Sequence, residues 1–405
     1  MKRALRVLLV ADVSAQTVRG GAERMLINHV RALREAGFAV TLLTRQPDPD
    51  APLRIEVADG VEEHRLIFSG DRGWQGLRQL SRQAKRWWNL RANAFDVVIS
   101  EQPFVMWALL GAGCTLPRLQ ICHSLACEEY ATRHGLAWGL RARLVTASMR
   151  RLERRIYRSA DRVMALSSFT RERLRRVMGV LPEQVVIVPG GVDLSRRAKI
   201  ATRQQWRQQL GWDGPVVVTL RNLVPRTGVD LLVQTAAILQ HTHPDLRWCV
   251  MGDGELAEPL RHLCGMLGVE ESIEWCGFLE DNEVGKRLQA ADLFVLPTRS
   301  LEGFGLVTLE ANSHGLPVVA TPVDANVEVV PQIDGNRLAV AATPQSLARE
   351  VAAALQGWPP QDSQHQRQRM RQQVEQRFGW PHHDQALLDS VRELVPQLVP
   401  QVAPE

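Results

Sequence analysis

The sequence lacks any apolar run long enough to cross a bilayer. Its longest internal run, Phe104 to Leu116, falls short of the ~20 residues that a transmembrane helix needs. The opening segment loosely resembles a signal peptide, but its apolar stretch is short, ends at Asp12 and precedes no small-residue cleavage site. We therefore expect a first β-strand there and no membrane span.

Cysteine is scarce, with six in 405 residues and none in a Cys-x-x-Cys pair or another metal-ligand spacing. A chain of this length can bury a core without disulfides, so buried cytosolic thiols and no metal site are expected. The apolar fraction of 45% and the charged fraction of 23% are typical of a soluble globular protein. The length favours two domains.

Positive charge is concentrated in the first half of the chain. Residues 1–195 carry 30 Lys+Arg against 19 Asp+Glu, a net of +11, and the remainder carries 19 against 25, a net of −6. A basic half favours an anionic partner. The alternative is that these arginines only lie on solvent-exposed faces of helices and bind no partner. No recognisable nucleic-acid-reading motif is present, so we expect no nucleic-acid partner.

Short apolar runs alternate with stretches of helical periodicity along the whole chain, which predicts parallel sheets covered on both faces. A first series of strands is predicted at Arg6–Ala11, Val40–Thr44, Val97–Ser100, Leu119–His123 and Val163–Ser167. A second series is predicted at Val216–Leu220, Arg247–Met251, Ile273–Cys276, Leu293–Pro297 and Val318–Thr321. The sequence therefore predicts two doubly wound α/β domains.

The polar, basic segment Asp193–Asp213 separates the two series, and we place the inter-domain connection there. The predicted first domain is 1–193 and the predicted second domain is 194–379. A final amphipathic helix is expected over about 380–396, with its periodic part from His383 to Leu394.

Two stretches of the basic half suit a membrane surface. Arg141–Arg158 is a long basic helical stretch, predicted to put Leu144, Leu152 and Ile156 on one face. The adjacent Trp87 and Trp88, beside Lys85 and Arg86, are not expected to face one core together, which favours an interface role. A solvated face over a core is the alternative for the long helix.

The richest stretch in candidate site residues follows the predicted strand Leu293–Pro297. It reads Thr-Arg-Ser-Leu-Glu302-Gly-Phe-Gly-Leu-Val-Thr-Leu-Glu310, and a helix should begin near Gly305. Gly303 and Gly305 leave backbone N–H groups unshielded, and a helix start adds about +0.5 of an elementary charge. Carboxylates beside such a site suit a ligand with hydroxyls as well as phosphate, such as a nucleotide sugar.

Glu302-x7-Glu310 resembles the Glu-x7-Glu motif of retaining glycosyltransferases of the GT-B fold, most closely family four. Further segments resemble that family in order and spacing along nearly the whole chain: Gly20-Gly21-Ala-Glu-Arg, His123 at a strand end, Val188-Pro-Gly-Gly-Val-Asp193, Gly252-Asp-Gly254, Gly277-Phe278 and Phe378-Gly-Trp380. The resemblance implies two Rossmann-like domains that face a cleft, and a C-terminal helix that crosses back to the first domain.

The resemblance also implies roles for individual residues. Glu310 would hold the ribose hydroxyls of the donor, and Glu302 would bind the transferred sugar. The other implied donor contacts are the backbone of Gly21 near the phosphate, His123 beside the donor sugar and acceptor, Phe278 by the base, Gly252 in a βα turn, and the loop residues Gly303, Phe304, Gly305 and Leu306. The family uses no catalytic metal, so we expect no cofactor.

The sequence departs from the family at the diphosphate site. Where the family has Gly-Arg-Leu-x-x-x-Lys-Gly, the arginine position holds Asn222 and the lysine position holds Thr227. Arg221 and Arg226 each stand one residue earlier. A one-residue shift turns a side chain to the opposite face of a strand, but a loop would let both arginines reach the diphosphate. We expect Arg221 and Arg226 to do so; a weakened or inactive site is the alternative.

The resemblance implies a metal-independent, retaining glycosyltransferase that moves a sugar from a nucleoside-diphosphate donor to an acceptor hydroxyl. The implied acceptor is a growing glycan or lipid-linked sugar in surface polysaccharide assembly. We expect a cytoplasmic protein whose basic first domain lies on the inner face of the cell membrane. The rival hypotheses are an inactive homologue that only binds and a sugar-nucleotide epimerase.

Overall fold

The computed structural model describes residues 3–16, 20–57, 60–68, 74–134, 139–193, 203–356 and 363–398. The chain forms two compact units. The first contains Met1–Glu128, Trp138–Pro189 and the C-terminal segment from Pro381, and the second contains Glu129–Ala137 and Gly190–Trp380. The connection that we place at 193–213 includes residues 194–202, which lie outside the described residues.

The first unit contains an eight-stranded sheet over the described residues, in the order β3-β4-β2-β1-β5-β6-β7-β8. Its strands are β1 Arg6–Val10, β2 Ala39–Arg45, β3 Arg54–Val57, β4 Val61–Leu66, β5 Val97–Ser100, β6 Arg118–Cys122, β7 Arg162–Ala165 and β8 Val185–Ile187. Its helices are α1 Gly21–Glu35, α2 Trp74–Asn89, α3 Pro103–Gly111, α4 Ala126–His134 (which runs on into the second unit), α5 Gly139–Arg158 and α6 Ser168–Arg173.

The second unit contains a six-stranded, wholly parallel sheet in the order β11-β10-β9-β12-β13-β14. Its strands are β9 Val216–Leu220, β10 Arg247–Met251, β11 Ile273–Gly277, β12 Leu293–Leu296, β13 Val318–Ala320 and β14 Arg337–Leu338. Its helices are α7 Arg203–Leu210, α8 Val229–Leu239, α9 Ala257–Leu267, α10 Asp281–Ala290, α11 Leu306–Ser313, α12 Asn326–Val329, α13 Pro344–Leu355 and α14 Ser363–Phe378. This is the strand order of dinucleotide-binding sheets.

Every predicted strand is present, with ends that differ by at most two residues, because most are apolar runs that the fold buries on both faces. Residues of β5 and β12, for example, are all buried. The edge strand β11 is an exception, with Glu274 exposed. The sequence analysis missed β3, β4, β8 and β14. The pair β3 and β4 is antiparallel and rich in charged residues, so it carries little apolar signal.

The final helix, α15 Trp380–Leu394, is confirmed as the amphipathic C-terminal helix. Leu387 and Val391 are fully buried in the core of the first unit, where Leu26 and Leu33 of α1 also lie. The chain therefore leaves the first unit and returns to it. The two doubly wound α/β domains and the returning helix are confirmed.

The interpretation of Trp87 and Trp88 is wrong, because both are buried, with 9% and 5% exposed. Adjacent residues on a helix are about 100° apart, so a wide apolar stripe on α2 can bury both. The Trp87 ring stacks on Phe95 with centroids 5.8 Å apart. Both tryptophans belong to the core of the first unit.

The predicted apolar face of α5 is only partly correct. Ile156 is fully buried and Leu152 packs against the core, but Leu144 is 62% exposed. Leu140 is 74% exposed. The first half of α5 thus presents Leu140, Arg141, Arg143 and Leu144 on an exposed side, while Ala142 between them is buried. None of the helices over the described residues has the length and hydrophobicity needed to span a bilayer.

Five of the six cysteines are buried as expected, and Cys276 is half-buried. The sheet brings Cys249 of β10 within 3.2 Å, Sγ to Sγ, of Cys276 on the neighbouring β11, close to Glu274. Spacing along the chain could not show this, because the contact forms across two strands. The Arg287 guanidinium lies 3.9 Å from Glu274, so a cation bound there would meet a positive charge.

Candidate active site

Two loops of the second unit meet where the strand order of its sheet reverses. Strands β9 and β12 are hydrogen-bonded neighbours, and the chain crosses from one side of the sheet to the other between them. Ligands of doubly wound sheets bind at this switch point, outside the carboxyl ends of the strands. The loop after β9 carries Arg221, and the loop after β12 carries Thr298–Gly305.

Arg221, Glu302 and Thr298 form one buried polar cluster at this point. Arg221 Nη2 donates to Glu302 Oε2 at 2.9 Å and to Thr298 Oγ1 at 3.2 Å, and Thr298 Oγ1 donates to Glu302 Oε2 at 2.9 Å. The Arg221 and Glu302 side chains are only 8% and 9% exposed. Each charge offsets the desolvation of the other, so removing one partner would leave an uncompensated buried charge.

The backbone around Glu302 is held in an uncommon conformation. Leu301 and Asp324 have φ angles of 61° and 52°, the left-handed region that non-glycine residues rarely adopt. The Asp324 carboxylate accepts the Glu302 N–H at 3.2 Å, and the Ala325 N–H donates to the Glu302 carbonyl at 3.1 Å. Such conformations cost about 1–3 kcal/mol each and cluster at functional sites.

Helix α11 begins immediately after this loop, as predicted. Gly305 is its N-cap, with a φ of 80°, and the first N–H groups of a helix have no acceptor within it. Phe304 is 4% exposed and its ring packs against Phe378 at 6.1 Å, so its side chain anchors the loop. The predicted group Gly303, Phe304, Gly305 and Leu306 therefore forms a helix start beside Glu302.

Buried polar atoms without a partner among the described residues surround Gly305. Thr308 Oγ1 and Asn326 Oδ1 are two of them, and they would lie 3.4 and 3.5 Å from a Cβ placed on Gly305. Arg221 Nε, in the cluster with Glu302, is also buried without a partner among the described residues. Buried polar groups normally have partners, so this arrangement fits a bound polar ligand or ordered water. Glu310, on α11, is half-buried.

The two shifted arginines have different surroundings. Arg221 lies in the cluster with Glu302, whereas Arg226 Nη1 donates to the Leu301 carbonyl at 3.4 Å. Thr227, at the family's lysine position, is 2% exposed, and its hydroxyl donates to the carbonyls of Asn222 and Val224 at 2.8 and 2.7 Å. Thr227 thus closes the turn and contributes no charge.

Gly252 serves the close packing of two loops. Its φ is 124°, and a Cβ there would lie 2.0 Å from the Arg221 carbonyl oxygen. Only glycine lets the chain after β10 approach the chain after β9 so closely. Phe278, which follows Gly277 after β11, is 58% exposed, an uncommon exposure for a large aromatic side chain.

The first unit holds the remaining predicted residues at its own switch point, between β1 and β5. Gly21 is the first residue of α1, which follows β1, with Gly20 as N-cap. His123 follows β6, and its Nε2 lies 2.7 Å from Oε2 of Glu101, which follows β5. The His123 side chain is 16% exposed and that of Glu101 is 1% exposed.

Sequence reasoning missed several residues of these sites. Thr298 and Glu101 are polar residues at strand ends, a signal that could have found them. Asp324 lies in the turn after β13, and Asn326 is the first residue of the short helix α12. His29 and His383, which contact the Glu101 cluster, sit inside amphipathic helices and have no local signal.

Known families match both units. The model for "Glycosyltransferase Family 4" matches residues 19–196, and the model for "Glycosyl transferases group 1" matches residues 202–377. Mannosylfructose-phosphate synthase of Agrobacterium fabrum is 28% identical over 331 residues, covering 75% of this chain and 71% of that protein.

A lipid-directed enzyme matches over a shorter part. The GDP-mannose-dependent alpha-(1-6)-phosphatidylinositol monomannoside mannosyltransferase of Mycolicibacterium smegmatis is 36% identical over 177 residues, 41% of this chain and 46% of that protein. Sucrose-phosphate synthase of Thermosynechococcus elongatus has a similar structure, with a TM-score of 0.80 and 20% identity over 97% of this chain and all of that one.

The chain belongs to family four of the GT-B glycosyltransferases, and it is a glycosyltransferase that uses nucleotide sugars.

Proposed function

We propose that the protein is a retaining glycosyltransferase that transfers a sugar from a nucleoside-diphosphate donor to a lipid-linked or oligosaccharide acceptor in surface polysaccharide assembly. The observation that carries the proposal is the buried Arg221–Glu302–Thr298 cluster beside the start of α11. The two loops after β9 and β12 bring together the Arg221 guanidinium, the Glu302 carboxylate and the first N–H groups of α11. This combination suits a ligand with both phosphate and hydroxyl groups.

Each donor group has a proposed binding residue. Glu310 accepts hydrogen bonds from the ribose hydroxyls and Glu302 accepts one from the transferred sugar. We assign the diphosphate to the backbone N–H groups of Gly303–Leu306, and the family resemblance adds Gly21 of the first unit as a further phosphate contact. The exposed ring of Phe278 supports a stacking contact with the base.

The departing diphosphate needs positive charge, which we assign to Arg221 and Arg226 without a metal ion. Arg221 is fixed by Glu302 and Thr298 through Nη2, which leaves its Nε–H as a further donor. A fixed donor stabilises developing charge without reorganisation, and loss of one such donor costs about 3–4 kcal/mol of barrier.

The proposed chemical step is a front-side displacement. The bond between the sugar anomeric carbon and the diphosphate oxygen breaks while the acceptor oxygen bonds to the same face of that carbon. The acceptor hydroxyl proton passes to the departing phosphate oxygen. Glu302 is a poor nucleophile for a covalent route, because its Oε2 accepts hydrogen bonds from both Arg221 and Thr298.

The proposed acceptor is presented at a membrane surface. A relative of 36% identity carries a phosphatidylinositol mannoside in its name. The exposed start of α5 combines Leu140 and Leu144 with Arg141 and Arg143, a pattern that suits the boundary of an anionic bilayer. We therefore place the protein in the cytoplasm, at the inner face of the cell membrane.

Donor binding and turnover test the proposal directly. Purified protein is screened against UDP-, GDP-, dTDP- and ADP-sugars by thermal shift, and release of the nucleoside diphosphate is then measured with and without EDTA. We expect one donor to stabilise the wild type, and we expect Glu310→Gln to abolish that shift. Glu258→Gln is the matched control, because Glu258 is 85% exposed on α9. EDTA should leave turnover unchanged.

Other outcomes identify the rival functions. Donor binding without release of nucleoside diphosphate would indicate an inactive homologue. Epimerised donor in the absence of any acceptor would indicate an epimerase. Arg221→Gln should lower kcat by about 100- to 1,000-fold if Arg221 neutralises the diphosphate, because the loss of one oxyanion donor costs that much. An unchanged kcat would remove Arg221 from the mechanism.

A further inference from the structure

A chain of hydrogen-bonded side chains links His123 to the backbone of the first unit. Glu101 Oε2 lies 2.7 Å from His123 Nε2, and Glu101 Oε1 lies 2.5 Å from His29 Nδ1. His29 Nε2 lies 2.8 Å from His383 Nε2, in nearly coplanar rings. His383 Nδ1 lies 2.8 Å from the Pro189 carbonyl oxygen.

Four elements of the first unit bring these groups together. Glu101 follows β5, which lies between β1 and β6 in the sheet, and His123 follows β6. His29 comes from α1 and His383 from α15, two helices that share one core cluster through Leu26 and Leu387. His29, Glu101 and His383 are 0%, 3% and 3% exposed, so bulk solvent does not reach the cluster.

Counting donors and acceptors assigns most of the protons. A carbonyl oxygen only accepts, so His383 Nδ1 carries a hydrogen. Burial and the nearby charge of His29 lower the pKa of His383 to about 3, so it is neutral near pH 7 and its Nε2 is an acceptor. His29 Nε2 must then be the donor in its contact with His383.

The remaining proton lies between His29 and Glu101. Burial alone would raise the pKa of Glu101, but the His29 charge and the hydrogen bonds from both histidines outweigh it and hold that pKa far below its usual range. The four contacts of the chain need four hydrogens, one more than three neutral imidazoles and a carboxylate carry. With Glu101 as the carboxylate and His383 neutral, the additional hydrogen belongs to His29. His29 then carries a hydrogen on each ring nitrogen.

We propose that His29 is a buried imidazolium, and that His29, Glu101 and His383 are positioning residues which hold His123 in its Nε2–H form. His123 Nδ1 then presents a lone pair, which accepts a hydrogen bond from a hydroxyl group and repels a phosphate oxygen. The inference rests on the proposed role of His123 in the transferase site, and it assigns to His123 a sugar or acceptor hydroxyl as its partner.

Further charged groups surround this cluster. On α1, Arg31 lies 3.8 Å from the Asp384 carboxylate of α15, which also accepts from Asn28 at 2.6 Å. Burial raises the pKa of Asp384, while Asn28, His29 and Arg31 lower it and Glu35 raises it. These groups surround the His29–Glu101 pair without replacing either partner.

The protonation of His29 can be measured by ¹⁵N NMR on full-length protein labelled at histidine. Spectra of the wild type are recorded from pH 6 to pH 8.5, with assignments from His29→Gln and His123→Gln. We expect both His29 nitrogens to carry a hydrogen at pH 7, because each lies within hydrogen-bond distance of an acceptor. His123 should carry its hydrogen on Nε2 at that pH.

Kinetics with matched variants test the positioning role. Glu101→Gln should lower kcat by about 10- to 100-fold, as loss of such supporting partners does at other sites, with the donor KM within about threefold of wild type. In the ¹⁵N NMR spectra of Glu101→Gln, the His123 hydrogen should no longer be confined to Nε2. His383→Gln should act in the same direction, and the neighbouring His382→Gln, on the exposed side of α15, should be silent in both measurements.

A His29 ring with one bare nitrogen at pH 7 would overturn the proposal, even if turnover is normal. An unchanged His123 tautomer in Glu101→Gln would do the same. If the wild type turns over no donor, the proposed function fails, and the His29 spectrum still decides the proton arrangement. If a variant fails to fold, the wild-type ¹⁵N spectrum still tests the proposal, because it reports the hydrogens on His29 and His123.

Discussion

At the scale of single residues, the segment from Arg221 to Thr227 departs from the family pattern in a way that only the contacts explain. Thr227 stands where the family has lysine, and its buried hydroxyl closes a turn on two carbonyls. Arg221, one residue before the family's arginine position, reaches Glu302 in the loop after β12. The loop after β9 has left strand geometry, so the shift by one residue does not turn Arg221 away from the site.

Gly252 offers a stability test at the same scale. Gly252→Ala would bring a Cβ to 2.0 Å from the Arg221 carbonyl at a φ of 124°, and we expect a loss of about 3 kcal/mol in the free energy of unfolding. Gly277→Ala is the control, because Gly277 has a φ of 65° with nothing within 4 Å, and it should cost about 1 kcal/mol. Urea unfolding measures the change in the free energy of unfolding for both variants. Equal losses would contradict a steric clash between the added Cβ at Gly252 and the Arg221 carbonyl oxygen.

At the scale of elements, helix α2 shows how burial overrides a surface-like sequence. Its basic residues predicted an interface, yet both tryptophans face the core, where Trp87 also contacts His64 with ring centroids 5.5 Å apart. Neighbouring Arg91 lies over the Trp87 ring at 5.3 Å. The basic residues and the apolar residues of α2 thus occupy different sides of one helix.

Trp88→Ala tests this arrangement. Removal of a buried tryptophan should lower the free energy of unfolding by about 3–5 kcal/mol, because the core cannot fill the space. Leu90→Ala, just after the end of α2 and 80% exposed, should change it by less than about 0.5 kcal/mol. Guanidinium titrations compare them. If Trp88→Ala leaves the free energy of unfolding nearly unchanged, the burial of the two tryptophans in the core is contradicted.

At the scale of the whole molecule, the charge of the two halves differs in sign, and the exposed leucines of α5 lie in the basic half. Lys and Arg near an anionic bilayer are worth about 1 kcal/mol each, so a membrane contact of the first unit gains from its net charge. The acidic half has no such attraction.

Sedimentation with phosphatidylglycerol liposomes tests the contact. We expect the wild type to pellet at low salt and Leu140→Asp/Leu144→Asp to remain in the supernatant. Met266→Asp/Leu267→Asp, a pair on α9 that is 65% and 38% exposed in the acidic half, is the matched control and should pellet like the wild type. Binding should weaken at 0.5 M salt, because exposed charges are screened. Wild type that stays in solution would contradict membrane contact.

The order of strands and helices, and the loop around Glu302, were predictable from the sequence. Buried parallel strands are unbroken apolar runs, and a glycine-rich loop before a helix is a local signal. The charged strands β3 and β4 were not predictable, because they carry little apolar signal.

The sequence by itself determined the family, the two α/β domains and an amphipathic C-terminal helix, because each is encoded by residues close together in the chain. The return of that helix to the first domain came from the family resemblance, and the structure shows its packing there. Only the tertiary structure decided that Arg221 pairs with Glu302, that Trp87 and Trp88 are buried, and that His29 and His383 meet Glu101. His29 and His383 are far apart in sequence, and their contact depends on α1 and α15 packing in one core. Hydrogen bonds between such distant side chains leave no periodic pattern in a single sequence.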